Sequence, residues 1–178
     1  MNRFKTVATS LAVVALLAWA ALTLHAGPML VGKGRLADEV LALANIDEVY
    51  LSVHPLPVTL AGGGATINDI ESAVSRILRD AGIDVSSDDS VTPRLNVTVW
   101  PATDNAIEDV VGIVFMIDIQ QRVALLRADS REMVLPTSSV MTRRIALKDD
   151  RGKALMEECR RAAKLLVQSL EYATRAAG

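Results

Sequence analysis

Apolar and polar residues alternate most plainly between Val110 and Leu125. Val111, Ile113, Phe115, Ile117, Ile119, Val123 and Leu125 hold the odd positions, interrupted only by Gln121. A period of two marks a strand with one buried face, so this stretch predicts a long strand with its odd side inward. Two shorter segments repeat the pattern. In Ile46–Val53, Val49, Leu51 and Val53 alternate with Tyr50 and Ser52. His54-Pro55 and Leu56-Pro57 end that run, because proline cannot continue a ladder and restricts the residue before it. Leu95, Val97 and Val99 alternate with Asn96, Thr98 and Trp100, and Pro101–Asp109 then turns the chain. A fourth strand is expected within Arg131–Leu147, where Pro136 and Ser138-Ser139 weaken the pattern.

Elsewhere the period lengthens to that of a helix. Ile67, Ile70, Val74, Ile77, Leu78 and Ala81 form one stripe. Thr66 is placed to cap it, Asp69 to favour its positive end, and Gly82 to stop it. The C-terminal segment is longer. At 100° per residue Leu155, Cys159, Ala162, Ala163, Leu166, Leu170 and Ala173 share one side, and Lys153, Glu157, Arg160, Arg161, Lys164, Gln168, Glu171 and Arg175 the other. Asp149 or Asp150 begins this helix, whose length of about 27 residues gives it a span near 40 Å. Leu36–Ala44 fits two further helical turns. Gly62-Gly63-Gly64 reads as a flexible link, and Ile83-Asp84-Val85 leads into a polar loop over Ser86–Ser90. The order is β-α-β-β-β-α: an α+β, two-layer sandwich of about four strands with two helices on one face. Ile113, Phe115 and Ile117 are expected to face Leu166 and Leu170 across the layer.

This order, with its long closing helix, resembles that of small bacterial envelope proteins typified by the lipopolysaccharide-assembly lipoprotein of the outer membrane. The resemblance spans residues 46–177 and implies the architecture. It carries no diagnostic motif, so no residue role transfers with it. That family begins with a lipidated cysteine, and this chain has none near its N-terminus.

The first residues read as an address. Asn2-Arg3-Phe4-Lys5 is basic, Val7–Leu24 carries no charge, and Leu24-His25-Ala26-Gly27 offers a small-residue cut site. Thr9 and Ser10 shorten the purely apolar run, which favours a cleaved signal peptide over residues 1–26. An uncleaved anchor spanning through residues 7–24 is the alternative, and the membrane is met in no other way. Residues 27–45 follow as linker and short helix, with Gly32-Lys33-Gly34 inside Gly27–Arg35, and 46–178 form the single domain. The protein is therefore expected to be exported, either periplasmic or anchored facing the periplasm. N-terminal sequencing of protein from its native host should begin at Gly27; an intact Met1 in the membrane fraction would identify an anchor.

Composition then removes functions. The 178 residues are 51% hydrophobic and 22% charged, which suits a packed domain. Nineteen Lys+Arg against 21 Asp+Glu give a net charge of −2, with no footprint for nucleic acid. Beyond residue 26 there is one histidine, His54, and one cysteine, Cys159. A lone cysteine makes no internal disulfide, and one of each builds no common zinc site. Any Ser-His-Asp or Cys-His chemistry would have to pass through His54, a strand-end residue in His-Pro. Cys159 sits on an apolar helical stripe, where a free cysteine behaves as a small hydrophobe. Asp84, Asp88 and Asp89 lack the spacing of a calcium loop and read as a solvated turn. The triple glycine before Thr66 matches no phosphate-binding pattern. No catalytic, cofactor-binding or metal-binding residue is expected, and no cofactor.

Two surfaces are left as candidates. Arg160, Arg161 and Lys164 share the outer helical face, with Arg143-Arg144 nearby in sequence, and could meet an anionic surface. Glu157 and Glu158 are spaced to pair with Arg161 instead. The second surface lies on the long strand. Its even positions run Val110, Gly112, Val114, Met116 and only then Asp118, Gln120, Arg122. A half-solvated sheet should be polar on its outer side throughout. Val110, Val114 and Met116 must therefore be covered, either by Leu36–Ala44 or by another molecule. These features point to a non-enzymatic binding, adaptor or structural domain at the bacterial cell envelope, its partner another envelope protein or a second copy. An enzyme or a small-ligand carrier is the alternative; a carrier would need an enclosed cavity between helices and sheet.

Overall fold

The computed structural model describes residues 38–102, 109–125 and 131–178. The export segment, the linker Gly27–Arg35 and most of the Pro101–Asp109 turn lie outside the described residues. The described residues form five strands and two long helices. They are β1 (Glu48–Val53), β2 (Asp84–Ser86), β3 (Arg94–Ala102), β4 (Val110–Leu125) and β5 (Arg131–Leu147). One-turn helices α1 (Asp38–Leu41) and α2 (Val58–Ala61) precede α3 (Ile67–Asp80) and α4 (Arg151–Ala177).

The strands lie in the order β2-β1-β3-β4-β5. Both neighbours of β1 run parallel to it, and the β3-β4-β5 meander is antiparallel. Parallel neighbours need a crossover, which α3 supplies between β1 and β2. Strand β2 is the fifth strand, beyond the four that alternation suggested. Three residues are too few to show a period, and what holds β2 is its register on β1, Val49 opposite Val85. Strand β5 fills the whole expected window. It accommodates the Pro136 region through a register shift opposite Ile119/Gln120, where the Thr137 hydroxyl donates to the Ile119 carbonyl and to Gln121 Oε1 (3.3 and 2.6 Å).

Helices α3 and α4 pack on each other and on one face of the sheet, α4 over β4 and β5, α3 over β1 and β2. The odd side of β4 faces them: Ile113, Phe115, Ile117 and Ile119 are fully buried in one core with Leu155, Leu166 and Leu170. Thr66 caps α3 through a reciprocal box with Asp69, and the Asp69 carboxylate is held below its usual range by the hydrogen bonds from Thr66. At the other end Gly82 takes φ +81°, where other residues are strained. Helix α4 runs the expected 27 residues. Asp150 is its N-cap, but without a side-chain bond, because a 3-10 turn over Lys148–Asp150 leads the chain in.

The glycine run is a packing device rather than a flexible link. A Cβ on Gly152, in the first turn of α4, would lie 1.8 Å from the Gly63 carbonyl oxygen, and one on Gly63 would lie 2.8 Å from Gly152 N. The loop before α3 thus meets the start of α4 backbone to backbone. The adjoining α2 inserts Leu60 fully into the core.

Candidate interaction surface

The sheet has a second face with no helix on it among the described residues. Because pleat direction is shared across a ladder, the strand registers place its outward residues in rows. One row is Ala102–Gly112–Ile145, the next Trp100–Val114–Arg143, the next Thr98–Met116–Met141, and then Asn96–Asp118–Ser139. Val110 pairs with Leu147 at the near end. The face is therefore divided. Toward the β4 N-terminus it is apolar; from Asp118 onward, and across to Ser52, Tyr50 and His54, it is polar.

Val110, Val114 and Met116 are half-buried by their neighbours in the sheet. The side chains around them are open to solvent: Trp100 is 42% exposed, Met141 61%, Ile145 77% and Leu147 56%. Of the two covers the sequence allows, Leu36–Ala44 does not serve over its described residues. Its described part, from Asp38, lies on the helix side, where α1 packs on α4. Gln121 Nε2 donates to the Ala42 carbonyl at 2.6 Å, Asn45 N–H donates to Thr174 Oγ1 at 3.0 Å, and Leu43 is buried in the core. The amphipathic turn had two apolar surfaces to choose between, and its sequence does not say which.

Strand β5 extends the patch well beyond the three residues named from β4. Met141, Arg143, Ile145 and Leu147 fall at every second position and alternate with Thr142, Arg144 and Ala146, a pattern visible in the sequence. Their side of the sheet depends on the register shift near Pro136, which the sequence conceals.

The cationic residues separate. Arg143 sits opposite Val114 on the open face, whereas Arg144, one residue on, turns to the helix side and pairs with Glu157. Arg161 lies 3.9 Å from Glu158, a carboxylate on α4 that is only 3% exposed. Arg160 borders a recess with Asp69 and the glycine loop, and Lys164 is solvent-exposed. Arg160, Arg161 and Lys164 thus lie on the helical layer, away from the apolar patch. Asp118, at the polar boundary of the open face, has its carboxyl raised above the usual range by desolvation, with the nearby His54 charge opposing.

The other chemical candidates take structural places. His54 is exposed and its backbone N–H donates to Val97 O at 2.9 Å, extending the β1-β3 ladder. Asp88 accepts from Ser90 N–H at 2.8 Å, closing an Asx turn that holds its carboxylate below the usual range. Cys159 is fully buried, 3.9 Å from the Ile70 carbonyl, and burial pushes its thiol up to about 12 from an ordinary 9.0. A thiol whose folded pKa exceeds its unfolded one keeps its proton longer in the native state. Stability should then fall as pH rises above about 9, at up to about 1.4 kcal/mol per unit. Urea unfolding of Cys159→Ala between pH 8 and 10.5 should lack the part of the slope that the wild type owes to the thiol.

Between sheet and helices the space is occupied by Phe115, the β4 isoleucines and the α4 leucines. A recess of about 400 Å³ opens at the C-terminal ends of α3 and α4, floored by Ile46, Ile83, Val167 and Leu170 and edged by Glu171 and Arg175. It faces solvent, unlike the enclosed cavity a carrier would need. No helix among the described residues is long and apolar enough to cross a membrane.

No protein-family description matches the chain, and no curated protein does. Similar solved structures include a minor lipoprotein from Acinetobacter baumannii, 11% identical with a TM-score of 0.41, covering 71% of this chain and 92% of that one. Another is the rare lipoprotein B from Shewanella oneidensis, 15% identical with a TM-score of 0.39, covering 70% of this chain and 94% of that one. Likenesses this loose carry no argument about role.

Proposed function

We propose that this chain is an exported, non-enzymatic binding domain of the bacterial cell envelope, and that it binds through the open face of its sheet. One observation carries the reading. Trp100, Met141, Ile145 and Leu147 are exposed together around Val110, Val114 and Met116, on a face whose other half is polar. Single exposed apolar residues are ordinary, but a contiguous group rimmed by polar ones is the usual mark of a contact surface. The basic start and uncharged run of residues 2–24 support export.

Val114→Asp tests the reading. Its side chain is half-buried on an open face, so a carboxylate there can reach water when the protein is free but not when the face is covered. Full-length protein extracted from its native envelope in mild detergent should migrate as a larger assembly in the wild type. The variant should migrate alone, with thermal unfolding within a few degrees of wild type. An unchanged assembly, or a variant that simply unfolds, would remove the support for this face.

A further inference from the structure

The open face carries its own complement, and we infer that what it binds is a second copy of this chain. The inference rests on the reading of that face as a contact surface and names its occupant. In the row Trp100–Val114–Arg143 the patch's one indole and one cation lie on the two strands that flank β4. Two sheets packed face to face, related by a two-fold axis running along β4, put β3 of each over β5 of the other. Trp100 then lies over the partner's Arg143, and Arg143 over the partner's Trp100. Each guanidinium meets an indole face, an attraction that strengthens when the pair leaves water. Among the described residues Arg143 has no carboxylate partner, whereas its neighbour Arg144 is held by Glu157.

The remaining rows agree with the same axis. Val110, Val114 and Met116 lie over their own counterparts, Thr98 over Met141, and Ala102 over Ile145, so the half-buried β4 side chains pack on each other and Met141 and Ile145 are covered by smaller groups. A two-fold axis along the strands keeps the two sets of strands aligned, as in ordinary sheet-on-sheet packing. The contact ends at Asp118, whose carboxylate would face its counterpart. The apolar part is about three strands wide and seven residues long, roughly 14 by 23 Å. That is small for a permanent dimer and suits a weak, concentration-dependent one.

The test uses the full chain with Val114→Cys in intact cells and a short bismaleimide linker; Cys159, buried and protonated, stays silent. The expected product is a covalent homodimer joined 114 to 114, with none from a Tyr172→Cys control on α4. A second measurement follows association of purified full-length variants in mild detergent by sedimentation. Trp100→Arg sets cation over cation and should weaken association by about tenfold or more. Adding Arg143→Trp exchanges the two partners across the row and should restore it, which a merely structural role for either residue would not produce. Absence of the 114–114 product, or a double variant no better than Trp100→Arg, overturns the second copy as occupant. If the thiol introduced by Val114→Cys instead couples to a different protein, this inference fails and the contact-surface reading stands. If it couples to nothing and Val114→Asp is without effect on assembly, both fail.

Discussion

Phe115→Ala should lower the stability of the domain by about 3–5 kcal/mol. Phe115 is a fully buried side chain at the middle of β4, a strand with neighbours on both sides, and the helices lie over it. Val99 flanks it on β3 and Thr142 on β5. Both are anchored in their own ladders and cannot slide in to fill the space, so the lost transfer energy is joined by a cavity term. A domain of this size has roughly 5–15 kcal/mol in all, so the variant should sit close to its unfolding transition at ambient temperature. Urea unfolding at constant m-value checks it. A loss below about 1 kcal/mol would mean that the odd face of β4 is not the buried one.

That prediction can be made from the sequence because β4 states its own orientation. An unbroken alternation from Val111 to Ile119 fixes which side is inward, and a one-residue slip would expose every isoleucine at once. Helix α4 is legible for the same reason, since its apolar stripe repeats without conflict from Leu155 to Ala173, and α3 carries its capping box in Thr66 and Asp69. Where the sequence failed, the decisive contact was distant in the chain and involved few atoms. Three residues of β2 acquire strand geometry only from β1, 36 positions earlier. The turn around Asp38–Ala44 is amphipathic in isolation, and its side of the sheet is set by hydrogen bonds to Gln121 and Thr174. The open face was half legible. Val110, Val114 and Met116 announced themselves on β4, but Met141, Ile145 and Leu147 joined them only once the β5 register was known. Trp100 was visible as an outward residue of β3, and its cross-strand relation to Arg143 was not.

Replacing Gly152 by alanine should be nearly as damaging as deleting the phenyl ring, through the opposite mechanism. The new methyl would lie 1.8 Å from the Gly63 carbonyl oxygen and 2.7 Å from its carbon, so backbone must move rather than a side chain rotate. Neither side can yield easily. On one side α4 is anchored by Ala154, Leu155 and Glu158, all buried within two turns of Gly152. On the other, the glycine loop is held between Leu60, fully buried in α2, and the capped start of α3 at Thr66. Overpacking a fixed contact typically costs 1–3 kcal/mol, and here the upper end, about 3 kcal/mol, is expected. Gly82→Ala is the informative comparison. Its Cβ would meet nothing within 4 Å, so only the left-handed backbone at φ +81° opposes it, worth about 1–2 kcal/mol. If Gly152→Ala costs no more than Gly82→Ala in urea, the two backbones are not in contact and the start of α4 is free to move. A larger loss at position 152 that is partly relieved by shortening the glycine run would show that the α3 loop and α4 are braced against each other at this point.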